Sequence, residues 1–288
     1  MKNFPIPVRS IGPGSQADEE VLDYMPMPQG METFRAPSLP EPEDIAGRVQ
    51  GCAALRQALL ELGAALQDGA NHSVSLTGLP PADLQLINTV LGEGEVSALV
   101  KPSHDGGIEL RVQESVFTGV WRVVQTAAGQ VVSDIIELGA VPQALRDTAL
   151  QDVQAAMPRW QGPLPPNVQN APLVLSEIES QFGLWQPGQG AYVVNLTLLP
   201  MSVEDIGFMD HHLGTGRVLI LSRGYGNCRI TNTCQPNTWR VVYYNSQDMV
   251  ILNTVEITGL PEVALAARED LEDSYGRLKE VLEWVESA

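Results

Sequence analysis

Leu91-Gly92-Glu93-Gly94-Glu95-Val96 returns as Leu213-Gly214-Thr215-Gly216-Arg217-Val218, and Trp121-Arg122-Val123-Val124 returns as Trp239-Arg240-Val241-Val242. Leu76-Thr77-Gly78-Leu79-Pro80 also returns as Leu196-Thr197-Leu198-Leu199-Pro200, and Glu137 and Pro142 return as Glu256 and Pro261. Taken in chain order the offsets are 120, 122, 118 and 119. Matches in one order at nearly constant spacing read as an internal duplication, and the drift reads as short insertions in loops.

Both copies predict the same elements. In the first, residues 73–77 alternate as a strand and Pro80-Pro81 opens a helix with Leu84, Ile87, Val90 and Leu91 on its apolar stripe. Strands are expected at 95–100, 108–116, 120–126 and 131–138, and Pro142 begins a closing helix with Leu145, Ala149, Val153 and Ala156 on one face. In the second copy the corresponding strands fall at 193–198, 218–222, 228–232, 239–244 and 250–258. Ser202 caps the helix that reaches Leu213, and a closing helix carries Leu271, Tyr275, Leu278, Leu282 and Val285. A long helix with Ile45, Val49, Cys52, Leu55, Leu59, Leu62 and Leu66 on one stripe precedes the first copy, and a shorter one near 173–182 precedes the second. The fold class is therefore α+β, a β-α-β-β-β-β-α unit given twice, with antiparallel sheets covered by helices on one face. One continuous sheet and two separate lobes both fit. The order also resembles the TATA-binding-protein saddle, in topology alone.

The expected organisation is an extended arm at 1–42, a first repeat at 43–157, a linker at 158–171 around Gly162-Pro163-Leu164-Pro165-Pro166-Asn167, and a second repeat at 172–288. The arm holds eight prolines, which exclude helix and central strand, and Asp18, Glu19, Glu20 and Asp23 cluster within it. Phe4, Ile6 and Val8 alternate, and Tyr24-Met25-Pro26-Met27-Pro28 is an apolar patch. Methionine and tyrosine suit adaptable interfaces, so the arm reads as a segment that docks on its own body or on a partner.

The 288 residues carry 17 Lys+Arg against 35 Asp+Glu, a net charge of −18. Nucleic-acid affinity draws mainly on cationic contacts to phosphate, so nucleic acid and anionic membrane are poor partners and a basic protein or peptide a better one. The start lacks the apolar core of a secretory signal, and no stretch approaches the length of a membrane span. Three cysteines make no disulfide framework, and a reducing cytoplasm fits best.

The Gly-x-Gly blocks close a helix and open a strand, the reverse of a phosphate loop, so Gly92 and Gly214 are expected as helix C-caps, at least one of them with positive φ. His211, His212, Cys228 and Cys234 have metal-binding chemistry but poor spacing and no counterparts in the first copy. No nucleophile elbow or His-Glu-x-x-His is present. In each Trp-Arg pair the two side chains point to opposite faces of a strand. Trp inside and Arg outside is the ordinary arrangement, while the reverse would offer Trp121 and Trp239 to a partner. The acidic positions of the last helix, from Glu269 to Glu286, read as a solvated face, and less readily as a contact for a basic export signal.

Ile11-Gly12-Pro13-Gly14-Ser15-Gln16, the Tyr24–Pro28 patch, and the doubled Leu-Gly-x-Gly-x-Val and Trp-Arg-Val blocks together resemble the HupH/HyaF family of hydrogenase expression proteins over essentially the whole chain. The resemblance implies a cytoplasmic accessory factor for a nickel–iron hydrogenase. It would act as a chaperone on the precursor of the iron–sulfur small subunit before twin-arginine export, with a thioredoxin-like hydrogenase accessory protein as a second partner. It implies no catalytic residue, no cofactor and no role for the cysteines. The candidate partner contacts are Gly12, Pro13, Gly14, Tyr24, Met25, Pro26, Met27, Trp121 and Trp239. The rival reading is an enzyme or metal-cluster carrier in iron–sulfur assembly.

Overall fold

A computed structural model describes residues 40–104, 106–224 and 226–287; the side chains of Asp44, Glu286 and Ser287 are not described. Helices α1 (Pro42–Ile45) and α2 (Val49–Asp68) lead into β1 (His72–Ser75), α3 (Pro81–Leu91), β2 (Val96–Val100), β3 (Ile108–Glu114), β4 (Val120–Ala127), β5 (Gln130–Leu138) and α4 (Gln143–Gln151). The second half follows as α5 (Ala171–Leu184), β6 (Tyr192–Asn195), α6 (Val203–Leu213), β7 (Val218–Ser222), β8 (Asn227–Asn232), β9 (Thr238–Tyr244), β10 (Val250–Ile257) and α7 (Arg268–Ser287).

All ten strands form one antiparallel sheet in the order β1-β5-β4-β3-β2-β7-β8-β9-β10-β6. The list reads the same from either end when each strand is replaced by its counterpart in the other half. The halves meet at β2 and β7, where Val96 pairs with Ser222, Ala98 with Ile220 and Val100 with Val218. Pairing β2 to β7 removes two strand edges that would otherwise stand unpaired, which favours one sheet over two lobes.

Alternation along the strands sends side chains to two faces. On one face lies a core shared by both halves: Ala98, Val100, Leu110, Val112, Trp121 and Val123 from the first, and Val218, Ile220, Cys228, Ile230, Trp239 and Val241 from the second. Leu145 of α4 and Ala264 of a 3-10 turn at Glu262–Ala264 seal it. On the opposite face, α2, α3 and α7 pack over Val74, Val120, Ile136 and Leu138. At the other end of that face, α5 and α6 pack over Val194, Val255 and Ile257. Most of the helical cover is thus on one face, with α4 and the 3-10 turn on the other.

The closing elements of the two halves differ from the sequence reading. Pro142 and Pro261 occupy corresponding places, but α4 follows the first and only the 3-10 turn the second. The 20-residue α7 instead runs back to the first half, packing on α2 with Tyr275 against Gly63. Helix α4 also ends at Gln151, before Val153 and Ala156, because Asp152 is taken up outside the helix. Its carboxylate accepts the Arg217 backbone N–H (2.7 Å), Arg217 Nε (2.6 Å) and Asn232 Nδ2 (3.0 Å). The long first helix breaks at Gly47, whose φ is 78°. The expected strand at 193–198 stops at Asn195, whose side chain accepts the N–H groups of Thr197 and Leu198 and curls 196–198 into a 3-10 turn. Within the expected linker, Val168 is buried among α5 and α6.

Gly92 and Gly214 end α3 and α6 with φ of 56° and 69°, their N–H groups donated to Asn88 and Asp210. A Cβ would meet Val116 Cγ1 at 2.9 Å in the first case and Cys234 Sγ at 2.8 Å in the second. The next glycines, Gly94 and Gly216, lie so close to Ser115 and Asn232 that any side chain would overlap them. Conformation at the first position and close approach at the second account for the Gly-x-Gly blocks without a phosphate.

Glu114 and Asn232 end β3 and β8 at corresponding places. Asn232 Oδ1 accepts the Val218 N–H at 2.9 Å. Glu114 is 5% exposed, and burial pushes its carboxyl up to about 7, with help from the charge of Glu95 and against the backbone N–H groups of Gly119, Val96 and Glu95. The folded chain therefore holds a proton that the unfolded chain releases near pH 4.5, so stability falls as pH rises from about 4.5 to about 7. The gap corresponds to about 3 kcal/mol. Glu114→Gln should match the wild type at pH 4 and exceed it by up to that amount at pH 8. Urea unfolding across this range checks it, and a variant whose pH profile parallels the wild type would acquit Glu114.

Candidate partner-binding face

Between the two helical packs, the middle of the sheet presents side chains that, apart from Val255 and Ile136 at the row ends, belong to none of the three cores. Register places them in two rows. One runs Asp134, Val124, Arg111, Leu99, Leu219, Thr231, Arg240, Val255 across β5, β4, β3, β2, β7, β8, β9 and β10. The other runs, from β10 back to β5, Asn253, Val242, Arg229, Leu221, Ser97, Gln113, Arg122, Ile136. Each reads Val-Arg-Leu toward the centre, so the face is nearly two-fold symmetric. Leu99, Leu219, Leu221, Val124 and Val242 are half-buried, Arg229 is half-buried, Arg111 is exposed and Ser97 is buried.

The outer arginines are held by the flanking helices. Arg122 pairs with Asp134 through Nε and Nη2 and donates Nη1 to Asn88 of α3 at 2.7 Å. In the second half the carboxylate has moved. Asp210 of α6 stands where Asn88 stands, 3.6 Å from Arg240 Nη1, and Asn253 replaces Asp134. Burial pushes the Asp210 carboxyl up against the pull of Arg240. This second cluster is less well satisfied: Arg240 Nη1 and Asn253 Oδ1 are buried without a hydrogen-bond partner among the described residues. Nearer the centre, Arg111 donates Nε to Glu109 at 2.7 Å.

Of the candidate contacts named from the sequence, the two that are described fall elsewhere. Trp121 and Trp239 are each 1% exposed, in the shared core, with indole N–H groups donated to the carbonyls of Gly139 (2.9 Å) and Thr258 (3.2 Å). In this structure they offer no surface to a partner, because alternation turns them toward α4 and the 3-10 turn. Gly12, Pro13, Gly14, Tyr24, Met25, Pro26 and Met27 lie outside the described residues. The sequence did not single out Leu99, Leu221, Arg111 or Arg229. The available signal was the repeat itself, since Arg111-Val112 and Arg229-Ile230 keep the offset of 118.

The histidine and cysteine candidates are drawn into packing. The His212 ring stacks on Phe208 at 4.1 Å, with Nδ1 2.7 Å from the Phe208 carbonyl. Cys228 faces the shared core, and burial pushes its thiol up to about 12. Cys234 lies against Gly214, its thiol also raised by burial. Among the described residues no group of three His, Cys, Asp or Glu could hold a metal ion, and no helix is long and apolar enough to cross a membrane.

The conserved C-terminal region of the HupH hydrogenase expression protein matches the chain twice, over residues 49–164 and 168–285, so one match spans each half from its leading helix onward. The chain belongs to this family. It is 52% identical over 290 residues to the hydrogenase expression/formation protein HoxQ of Cupriavidus necator, with all of both chains covered. It is 46% identical to HupH of Rhodobacter capsulatus, with 98% of each chain covered, and 31% identical to the hydrogenase-1 operon protein HyaF of Escherichia coli, with 96% of each covered.

Proposed function

We propose that this chain is a non-enzymatic accessory factor in the maturation of a nickel–iron hydrogenase. It binds the immature iron–sulfur small subunit in the cytoplasm before twin-arginine export, and releases it on cofactor insertion or assembly. A thioredoxin-like accessory protein is its second partner, and the arm around Gly12–Gly14 and Tyr24–Met27 adds contacts. The observation that carries the reading is the full-length match to proteins named for hydrogenase expression and formation. The Val-Arg-Leu face supports it, because apolar side chains left out of every core beside arginines are the composition of an interface. Net charge pointed to a basic partner; this face fits an apolar and acidic segment instead.

Co-purification of the small-subunit precursor with the tagged full-length chain tests this. Leu221→Glu, or Arg111→Glu with Arg229→Glu, should lower capture at least tenfold with little change in unfolding midpoint. Lys279→Glu on the solvated face of α7 should leave it unchanged. Wild-type capture by both face variants would exclude the sheet as the docking surface.

A further inference from the structure

The duplication gives each outer arginine of the sheet face a reference in the other half. Arg122 and Arg240 hold corresponding places on β4 and β9. Arg122 offers the fork of Nε and Nη2 to both carboxylate oxygens of Asp134 and gives Nη1 to the Asn88 amide. Fork and carboxylate match in geometry as well as in charge.

Around Arg240 the same places are filled differently. Asp210 stands beside Nη1 at 3.6 Å, too far for a hydrogen bond. Asn253 stands where Asp134 does, its backbone N–H donated to Thr197 Oγ1 at 2.8 Å. The Arg240 side chain is only 13% exposed, yet none of its N–H groups donates a hydrogen bond to a described residue. Burial moves Asp210 up and Arg240 down, toward their neutral forms, each against the pull of the other. An aspartate at 253 would complete this cluster as Asp134 completes the first. The chain instead keeps a buried arginine short of acceptors, and such breaches collect at functional sites.

We propose, building on the docking reading, that Arg240 and Asn253 receive one Asp or Glu side chain of the docked partner segment. Its carboxylate takes against Arg240 Nε and Nη2 the place that Asp134 holds against Arg122, and the Asn253 amide, turned about its last torsion, donates Nδ2 to it. Asp210 stays at Nη1, as Asn88 does. Arg122 is satisfied within the chain, so a nearly symmetric face reads its partner in one direction only. Through Thr231, Arg240 lies two strand spacings from Leu219, about 10 Å. An extended segment covers that in about three residues, so an apolar residue over Leu219 and an acid about three positions away set the register.

The test uses full-length chains with ¹⁵N-labelled arginine, the Nε–H signals of Arg122 and Arg240 being assigned by Arg→Lys substitution, and the small-subunit precursor as the probe. On capture, the Arg240 Nε–H should move toward the position of the Arg122 Nε–H, which marks a carboxylate-bound fork. Asn253→Asp supplies the carboxylate from within. It should bring the Arg240 Nε–H to that position in the free chain, raise the urea midpoint and lower capture at least tenfold. Full capture by an Asn253→Asp chain whose Arg240 Nε–H has moved overturns the proposal. So does an Arg240 Nε–H that keeps its free position in the wild-type complex, in which case water alone completes the cluster. Where the substitution does not reach the fork, the wild-type complex decides alone. The docking reading fails separately: an Arg240 shift on capture with Leu221→Glu harmless keeps the acid contact and moves docking off the sheet centre. Capture lost in Leu221→Glu, with the Arg240 signal unmoved in the wild-type complex, keeps the docking face and removes the acid contact.

Discussion

Replacing Asp205 by alanine should cost about 4 kcal/mol of stability, at least twice the cost of the same change at Asp83. The two carboxylates occupy corresponding places in α6 and α3, and both reach to the start of the preceding helix. Asp83 accepts one N–H there, from Gly51 at 2.7 Å. Asp205 Oδ1 accepts three, from Gln169 (2.8 Å), Asn170 (2.9 Å) and Ala171 (2.9 Å), while Oδ2 accepts the Ser202 N–H at 3.1 Å and completes the capping box of α6. The side chain is 1% exposed, so water cannot replace it when it is removed. Burial alone would raise its carboxyl; the four backbone N–H groups outweigh that and hold it at about 2. A folded value below the ordinary 3.8 gives stability that is present above pH 4 and lost as pH falls through about 2. The difference between wild type and Asp205→Asn in urea should therefore shrink from pH 5 to pH 2. An Asp205→Ala chain that unfolds within half a kcal/mol of wild type would show that the three N–H groups find other partners.

The repeats made the strand order within each half legible, because Trp-Arg-Val and Leu-Gly-x-Gly-x-Val sit at element boundaries that backbone conformation dictates. Strand β7 falls at 218–222 as expected, and Gly92 and Gly214 cap helices with positive φ as expected. What periodicity missed was decided by partners distant in sequence. Val153 and Ala156 continue the stripe of α4, yet the helix stops where Asp152 is claimed by Arg217 and Asn232, 65 and 80 residues away. Leu271 to Val285 is a helical stripe whichever half it packs on; only the fold shows that it joins α2 of the first half. The candidate face was hidden for the same reason. Arg111 and Arg229 are single residues in separate strands, and they share a face with the leucines only because β2 pairs with β7.

That pairing has a consequence for unfolding, and Trp239→Ala is the change that exposes it. A buried tryptophan truncated to alanine costs about 4 kcal/mol, and the Thr258 carbonyl loses its donor as well. A chain of this length can unfold in stages, one half at a time. If it did, Trp239→Ala would lower the transition of the second half and leave that of the first in place. The core around Trp239 is not confined to one half, however. Trp121, Val100 and Leu110 lie in the same cluster as Val218, Ile230 and Trp239, and Leu145 from the first half covers it together with Ala264 from the second. Helix α7 ties the halves again on the opposite face. Loss of Trp239 should therefore lower a single transition, and amide exchange of β4 in the first half should accelerate in step with that of β9. Trp121→Ala should have an effect of similar size and reach β9 in the same way. A two-step unfolding curve in Trp239→Ala, with one step at the wild-type position and β4 exchange unchanged, would mean that the β2–β7 seam does not couple the halves. The open face, whose leucines sit on those two strands, would then be a surface between two bodies free to move, not the rigid floor that docking requires.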